Sequence, residues 1–295
     1  MDEALLRWVV GATAPGAGLE EIRGLRDGGA PWLFTLNRGG DRYRVVLRVG
    51  DPADASPLRT EVAALQLAGA RGIPAPRLVA ADLAGDPPRL LTGALAGSST
   101  IPPDRPGARL RALGAAAAAL HAVSAEAGKD LPWRDRPIPG EDFAAIRREQ
   151  PDPLLAEAEQ RVAESSPDGV AGFVHGDLWQ GNVLWDGEVL VGLVDWDCAG
   201  VGPAGVDLGS LRCDAAVCFG PDAAEDVRRG WEDAAGQVAR DVPYWDAVAC
   251  LSTPVDMGWF AGAIAGQGRP DLSRQVLRER RDAFLASTLQ RWDRG

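Results

Sequence analysis

Residues 173–197, FVHGDLWQGNVLWDGEVLVGLVDWD, set His175, Asp177, Asn182 and Asp195 among apolar runs. Phe173 and Val174 lead into His175-Gly176-Asp177, and Asn182 lies five positions beyond Asp177. Residues 183–185 and 189–194 are apolar on either side of Asp186-Gly187-Glu188, the pattern of a short hairpin whose open end brings Asn182 near Asp195. A hydroxyl nucleophile needs a group to orient it and take its proton, and the carboxylate of Asp177 supplies one. Transfer of a γ-phosphoryl group needs Mg²⁺ against the phosphate charge, and Mg²⁺ takes oxygen ligands, typically one or two carboxylates beside the phosphates. Asp195 offers a charged oxygen and Asn182 a neutral one, a set that does not repel the nucleotide by excess negative charge. Turn chemistry accounts for Asp186. It does not account for acids flanked by apolar strands, which are costly to bury without a partner such as a metal.

Outward from this segment the chain divides by composition. Residues 2–10 read as a short helix. Residues 32–36 and 43–49 read as strands around the turn Asn37-Arg38-Gly39-Gly40-Asp41, a hairpin signal. Apolar residues at helical spacing over 58–71 end at Gly72, with Pro74 and Pro76 barring continuation. Residues 77–81 and 89–92 complete a small sheet crossed by one helix. Residues 97–107 and 128–140 are loops by content. The alanine-rich run 108–123 is strongly helical, and helices are expected at 141–149, 153–164, 205–218, 222–239, 243–266 and 270–292. The expected fold class is α+β, with a small β-rich N-terminal lobe (1–92) and a larger, mainly helical C-terminal lobe (93–295); the bilobal protein-kinase-like form of this arrangement is what the resemblance described next implies.

The segment 173–197 resembles the core of the aminoglycoside phosphotransferase family, small-molecule kinases related in fold to the protein kinases. His175-Gly176-Asp177 with Asn182 resembles its catalytic loop, the counterpart of HRDxxxxN. Val194-Asp195-Trp196-Asp197 resembles its metal-binding strand end. In Val206-Asp207-Leu208, after Gly202-Pro203, the resemblance implies that Asp207 braces the catalytic loop and His175 supports it. Val46-Leu47-Arg48-Val49 looks like the strand bearing the cation for the α- and β-phosphates. Arg48 stands where protein kinases have lysine, with Glu61 as its partner acid. Gly24 to Ala30, including Gly28 and Gly29, takes the place of the phosphate turn, and Gly93, Ala94 and Leu95 that of the adenine-binding hinge. Arg48 with Glu61 also reads as a surface pair, and the glycines as a plain turn. The resemblance implies Mg²⁺ as cofactor, ATP or GTP as donor, and a small-molecule hydroxyl as acceptor.

The remaining composition narrows the partners. A formal net charge of −11 over 295 residues repels a phosphate backbone, which argues against nucleic acid. Apolar residues make up 46% and charged ones 25%, an ordinary globular mixture. There is no uninterrupted apolar stretch of ~18 residues to suggest a membrane span, and the acidic start MDEALLRWVV does not read as a signal peptide. A cytoplasmic location follows. Cys198, Cys213, Cys218 and Cys250 form no CxxC pair, so a metal–thiolate site is not expected. For the acceptor, Asp222, Glu225, Asp226, Glu232, Asp233 and Asp256 suit the ammonium groups of an aminoglycoside, or are solvated helix faces. Trp231, Trp245, Trp259 and Phe260 suit a less charged acceptor, or are core. An aminoglycoside-like antibiotic leads. A macrolide kinase, a kinase of a metabolite alcohol such as homoserine or choline, and a non-catalytic kinase-like binding module are the alternatives.

Overall fold

The computed structural model describes residues 3–26, 29–165, 167 and 169–293. They form two compact units: residues 1–96 with 192–197, and residues 97–191 with 198–295. In the first, helix α1 (Glu3–Thr13) precedes strands β1 (Gly18–Arg26), β2 (Gly29–Arg38) and β3 (Asp41–Val49). Helix α2 (Ser56–Arg71) then leads to β4 (Leu78–Asp82) and β5 (Arg89–Gly93). The strands make one antiparallel sheet in the order β1-β2-β3-β5-β4. Leu33, Phe34, Thr35 and Leu36 of β2 are all buried, as expected of a strand covered on both faces. Val9 of α1 joins Phe34, Leu36, Val45, Leu47 and Leu91 in one core.

Strand β1 has no counterpart among the sequence expectations, which began the sheet at residue 32. Leu19, Ile22 and Leu25 are all exposed, so β1 shows no alternation of buried and exposed positions. Its intervening charges, Glu20, Glu21 and Arg23, suit a sheet edge. Gly24 therefore lies within a strand, Gly29 and Ala30 open the next, and Gly28 falls outside the described residues, as does Asp2, where the sequence reading began its first helix.

The second unit is mostly helical: α3 (Gly107–His121), α4 (Phe143–Glu149), α5 (Pro153–Ala163), α6 (Gly205–Phe219), α7 (Ala224–Ala235), α8 (Val242–Leu251), α9 (Gly258–Gly266) and α10 (Arg274–Trp292). Strand β6 (Ala171–Val174) pairs antiparallel with β9 (Gly200–Pro203). Strands β7 (Val183–Asp186) and β8 (Val189–Leu193) form the hairpin expected from the sequence. The short, glycine-rich β9 was not foreseen, and the single helix expected over 243–266 is two. Pro254 cannot continue α8, and Met257 at φ 55° turns the chain into α9. No helix among the described residues is long and apolar enough to cross a membrane.

Helix α6 is buried along most of its length and forms the spine of this unit. Its Arg212 meets Asp246 of α8 through two hydrogen bonds of 2.7 and 2.9 Å and donates to the carbonyl of Ala224 at 3.0 Å. Helices α3 and α7 cross at their glycines. A Cβ at Gly114 would lie 2.1 Å from the carbonyl oxygen of Val227, and one at Gly230 would lie 2.0 Å from that of Arg111. Gly230→Ala forces these backbones apart, and we expect it to lower unfolding free energy by about 1–3 kcal/mol, the usual cost of overpacking. Urea unfolding of the variant beside the native protein measures this, and an unchanged midpoint would contradict the crossing.

Candidate active site

The second unit fixes its polar loop through a buried acid. Asp207, in the first turn of α6, is 0% exposed. Its carboxylate accepts the backbone N–H of His175 at 2.7 Å and of Gly176 at 2.8 Å. It also lies 3.1 Å from His121 Nε2. The other ring nitrogen, His121 Nδ1, accepts from the indole N–H of Trp231 at 2.9 Å. With Nδ1 an acceptor, the proton of the neutral ring sits on Nε2 and points to Asp207. Burial alone would raise the Asp207 carboxyl, but the hydrogen bonds from His121 and from the backbone amide of His175 hold it below its ordinary range. Gly176 has φ 78°, and a Cβ there would lie 2.1 Å from the Cys198 carbonyl oxygen, so the turn requires glycine.

Beyond that turn, Asp177 is half-buried, and its backbone N–H lies 3.4 Å from His175 Nδ1. The Asn182 side-chain amide donates to the Asp177 carbonyl at 2.8 Å and to its Oδ2 at 3.0 Å. One side chain thus fixes both the backbone and the carboxylate of Asp177. Asn182 Oδ1 is buried with no hydrogen-bond partner among the described residues. A buried orphan oxygen is costly unless something arrives to use it, and a neutral oxygen of this kind suits Mg²⁺. Between the two residues, Gln180 donates from its backbone N–H (3.2 Å) and side-chain amide (2.8 Å) to Asp214 of α6. The loop is therefore pinned twice to the same helix.

The first unit gathers a separate charge cluster. Arg48 of β3 reaches Glu61 of α2 at 3.0 Å, Asp195 at 2.5 Å and Asp197 at 2.8 Å. Arg26, the last residue of β1, reaches the other oxygen of Asp195 at 2.8 Å. Asp195 stands at φ 69°, a left-handed conformation uncommon outside glycine. Burial opposes the charged form of Arg48, but Glu61, Asp195 and Asp197 outweigh it and raise its pKa. Burial pushes the Glu61 carboxyl up to about 7 against the pull of Arg48, with Asp195 and Asp197 adding to the rise. Arg48 thus meets Glu61, as the sequence suggested, and also holds the carboxylate expected to take the metal. Gly93 and Ala94 have their N–H groups on the carbonyls of Arg77 and Arg44, at 2.8 and 3.0 Å. Leu95 packs over Gly192. Among the described residues there is no group of three or more His, Cys, Asp or Glu placed to hold a metal.

Sequence reading did not single out Arg26, Asp197, His121, Trp231, Gln180 or Asp214 for the roles they hold. Asp197 had a visible signal, as the second acid of Asp195-Trp196-Asp197. His121 and Trp231 had none, because they meet only through the crossing of α3 and α7. The acids proposed for the acceptor are largely neutralised. Glu225 pairs with Arg212 and Arg228, Asp226 with Arg105 and Arg111, Glu232 with Arg228, and Asp256 with Arg274. Trp231 and Trp245 are buried, whereas Trp259 is 48% exposed and stacks on Phe143 with ring centroids 6.3 Å apart.

Residues 21–251 match the model of the phosphotransferase enzyme family. Among solved structures the chain is similar to the macrolide 2'-phosphotransferase MphH of Brachybacterium faecium, with a TM-score of 0.64 and 19% identity over 96% of this chain and 98% of that one. It is similar to the spectinomycin phosphotransferase APH(9)-Ia, with a TM-score of 0.64 and 13% identity over 98% and 99%. It is also similar to an aminoglycoside-3'-phosphotransferase of type VIII, with a TM-score of 0.57 and 22% identity over 83% and 97%. No curated protein matches.

The second pin of the loop titrates. Burial pushes the Asp214 carboxyl up to about 6, against its hydrogen bonds from Gln180 and Cys218. The folded protein thus holds this proton more tightly than the unfolded chain. The associated stability is complete below about pH 4, the ordinary aspartate range, and is lost as pH rises through about 6. Asp214→Asn removes the titration. We expect the native protein to lose stability relative to that variant between about pH 4 and 7, in urea titrations run across this range. A pH-independent difference would contradict it.

Proposed function

Because the chain belongs to the phosphotransferase enzyme family, we propose that it is a small-molecule kinase that moves the γ-phosphate of ATP or GTP onto an acceptor hydroxyl at Asp177. The observation that carries this reading is the double hydrogen bond from Asn182 to Asp177, on a loop whose preceding amides are held by buried Asp207. A carboxylate so held can orient a hydroxyl and accept its proton. As the hydroxyl oxygen bonds to the γ-phosphorus, the bond from that phosphorus to the bridging oxygen breaks and the nucleoside diphosphate leaves with its electron pair. In the loose transition state of such transfers the base contributes chiefly by position, which suits a side chain clamped by a neighbour. Arg48 is the cation for the α- and β-phosphates, with Glu61 orienting its guanidinium. Asn182 and Asp195 are the residues that would hold Mg²⁺, whose charge offsets that of the phosphate oxygens.

The acceptor we assign is a hydroxylated, antibiotic-like small molecule. The net charge of −11 favours an aminoglycoside-like polycation. The arginine partners of Glu225, Asp226, Glu232 and Asp256 favour the second reading, a weakly charged acceptor such as a macrolide or a metabolite alcohol. Exposed Trp259 supports the same choice, since an aromatic face suits an apolar or sugar surface.

Asp177→Asn is expected to leave folding and nucleotide affinity close to native and to lower acceptor-dependent turnover by about 10²–10⁴. Turnover near that of the native protein, measured with an acceptor the native protein phosphorylates, would remove Asp177 from the role of base. Salt distinguishes the two acceptor classes. The KM of a polycation should rise steeply with ionic strength, because screening shortens the reach of the acidic field. That of a neutral acceptor should hardly change. Turnover of neutral alcohols alone across a panel of hydroxylated compounds would overturn the aminoglycoside-like choice.

A further inference from the structure

The Arg48 cluster has an unbalanced charge. Asp195 and Asp197 together carry more negative charge than Arg48 neutralises, and the nucleotide reading brings a polyphosphate to the same place. Polyphosphate and these carboxylates repel one another unless cations accompany them. Arg26 is the second cation on the page. It stands at the tip of the β1–β2 hairpin, opposite Gly29 in the strand register. Its guanidinium crosses to Asp195 Oδ2 at 2.8 Å while Arg48 holds Oδ1.

The two arginines are held differently. Arg48 has a 25% exposed side chain and three acidic partners, so losing Asp195 leaves it fixed by Glu61 and Asp197. The Arg26 side chain is 64% exposed, and Asp195 is its one ion partner among the described residues. An exposed single ion pair of this kind contributes little stability, so it does not by itself account for an arginine at the hairpin tip. When Asp195 takes another partner, the Arg26 guanidinium is released within a side-chain length of that carboxylate. Its planar fork of donors matches phosphate oxygens.

We propose that Arg26, paired with Asp195 in this structure, is a second phosphate-binding residue of the nucleotide site and exchanges that carboxylate for the β- and γ-phosphates of a nucleotide. The inference rests on the nucleotide reading above. It differs from the expectation that the glycine-containing turn of residues 24–30 makes this contact, because it assigns the contact to a charged side chain. The exchange favours binding, because one exposed contact to a single carboxylate is replaced by contact with phosphates that carry more charge.

Equilibrium binding of ATP, ADP and adenosine to the full chain, read by calorimetry with and without Mg²⁺, tests this without reference to turnover. For Arg26→Ala we expect ATP and ADP to bind about 10-fold more weakly, as for loss of one charge-assisted contact in a partly exposed site. Adenosine should bind as it does to the native protein, and Arg26→Lys should recover part of the loss. Thermal unfolding verifies that each variant is folded. Unchanged ATP affinity in Arg26→Ala, or equal weakening of ATP and adenosine, would overturn the proposal alone. Tighter Mg²⁺ binding with unchanged ATP affinity would make Arg26 only a competitor for Asp195, and would overturn it too. A native protein that binds none of the three would overturn both this inference and the nucleotide reading.

Discussion

The organisation of the second unit turns on one buried carboxylate. Asp207 sits in the interior with two backbone amides and an imidazole N–H directed at it. A charge in that position is tolerable only because its hydrogen bonds replace the water it lost. The requirement works in both directions. The acid needs the amides of His175 and Gly176, so the turn before Asp177 can take only the conformation that presents them. His121 needs Trp231 on its far side, so α3 and α7 must cross closely enough for that bond, and the contacts at Gly114 and Gly230 allow it. Polar satisfaction and helix packing thus specify the same arrangement.

In the first unit the organising interaction is electrostatic. Arg48 is the hub of three acids brought from α2 and from residues 195–197. Glu61 is nearly inaccessible, and its raised pKa shows that Arg48 only partly offsets its desolvation. Such a cluster is held together by ion pairs within its own chain. The positive φ of Asp195 belongs to the same picture, because strained backbone persists where the surroundings over-determine it.

Much of this was legible in the sequence, for identifiable reasons. The β2–β3 and β7–β8 hairpins join apolar runs through turn residues, so local signals agreed with the final fold. The spacing of Asp177 and Asn182 could be read because both lie on one short loop. Asp207 was legible through resemblance, whereas its bond to His121 joins residues from α3 and α6. Strand β1 escaped because an exposed edge needs no apolar period. The break at Pro254 lies inside a long apolar run, whose composition alone suggests one continuous helix. The acids after residue 222 showed in composition, but their arginine partners come partly from distant segments, as Arg105 and Arg111 do for Asp226. Charge counts alone do not show such pairing.

The central claim is that the Asp177 loop performs phosphoryl transfer rather than only displaying a nucleotide-binding fold. The most direct measurement incubates the native protein with ATP or GTP, Mg²⁺ and a panel of hydroxylated antibiotics and metabolites. Nucleoside diphosphate and acceptor mass are then followed together. The account predicts diphosphate release that depends on one class of acceptor, matched one for one by acceptor molecules that gain a single phosphoryl group. Tight nucleotide binding with no phosphorylated acceptor anywhere in the panel would contradict it and leave a kinase-like binding module in its place.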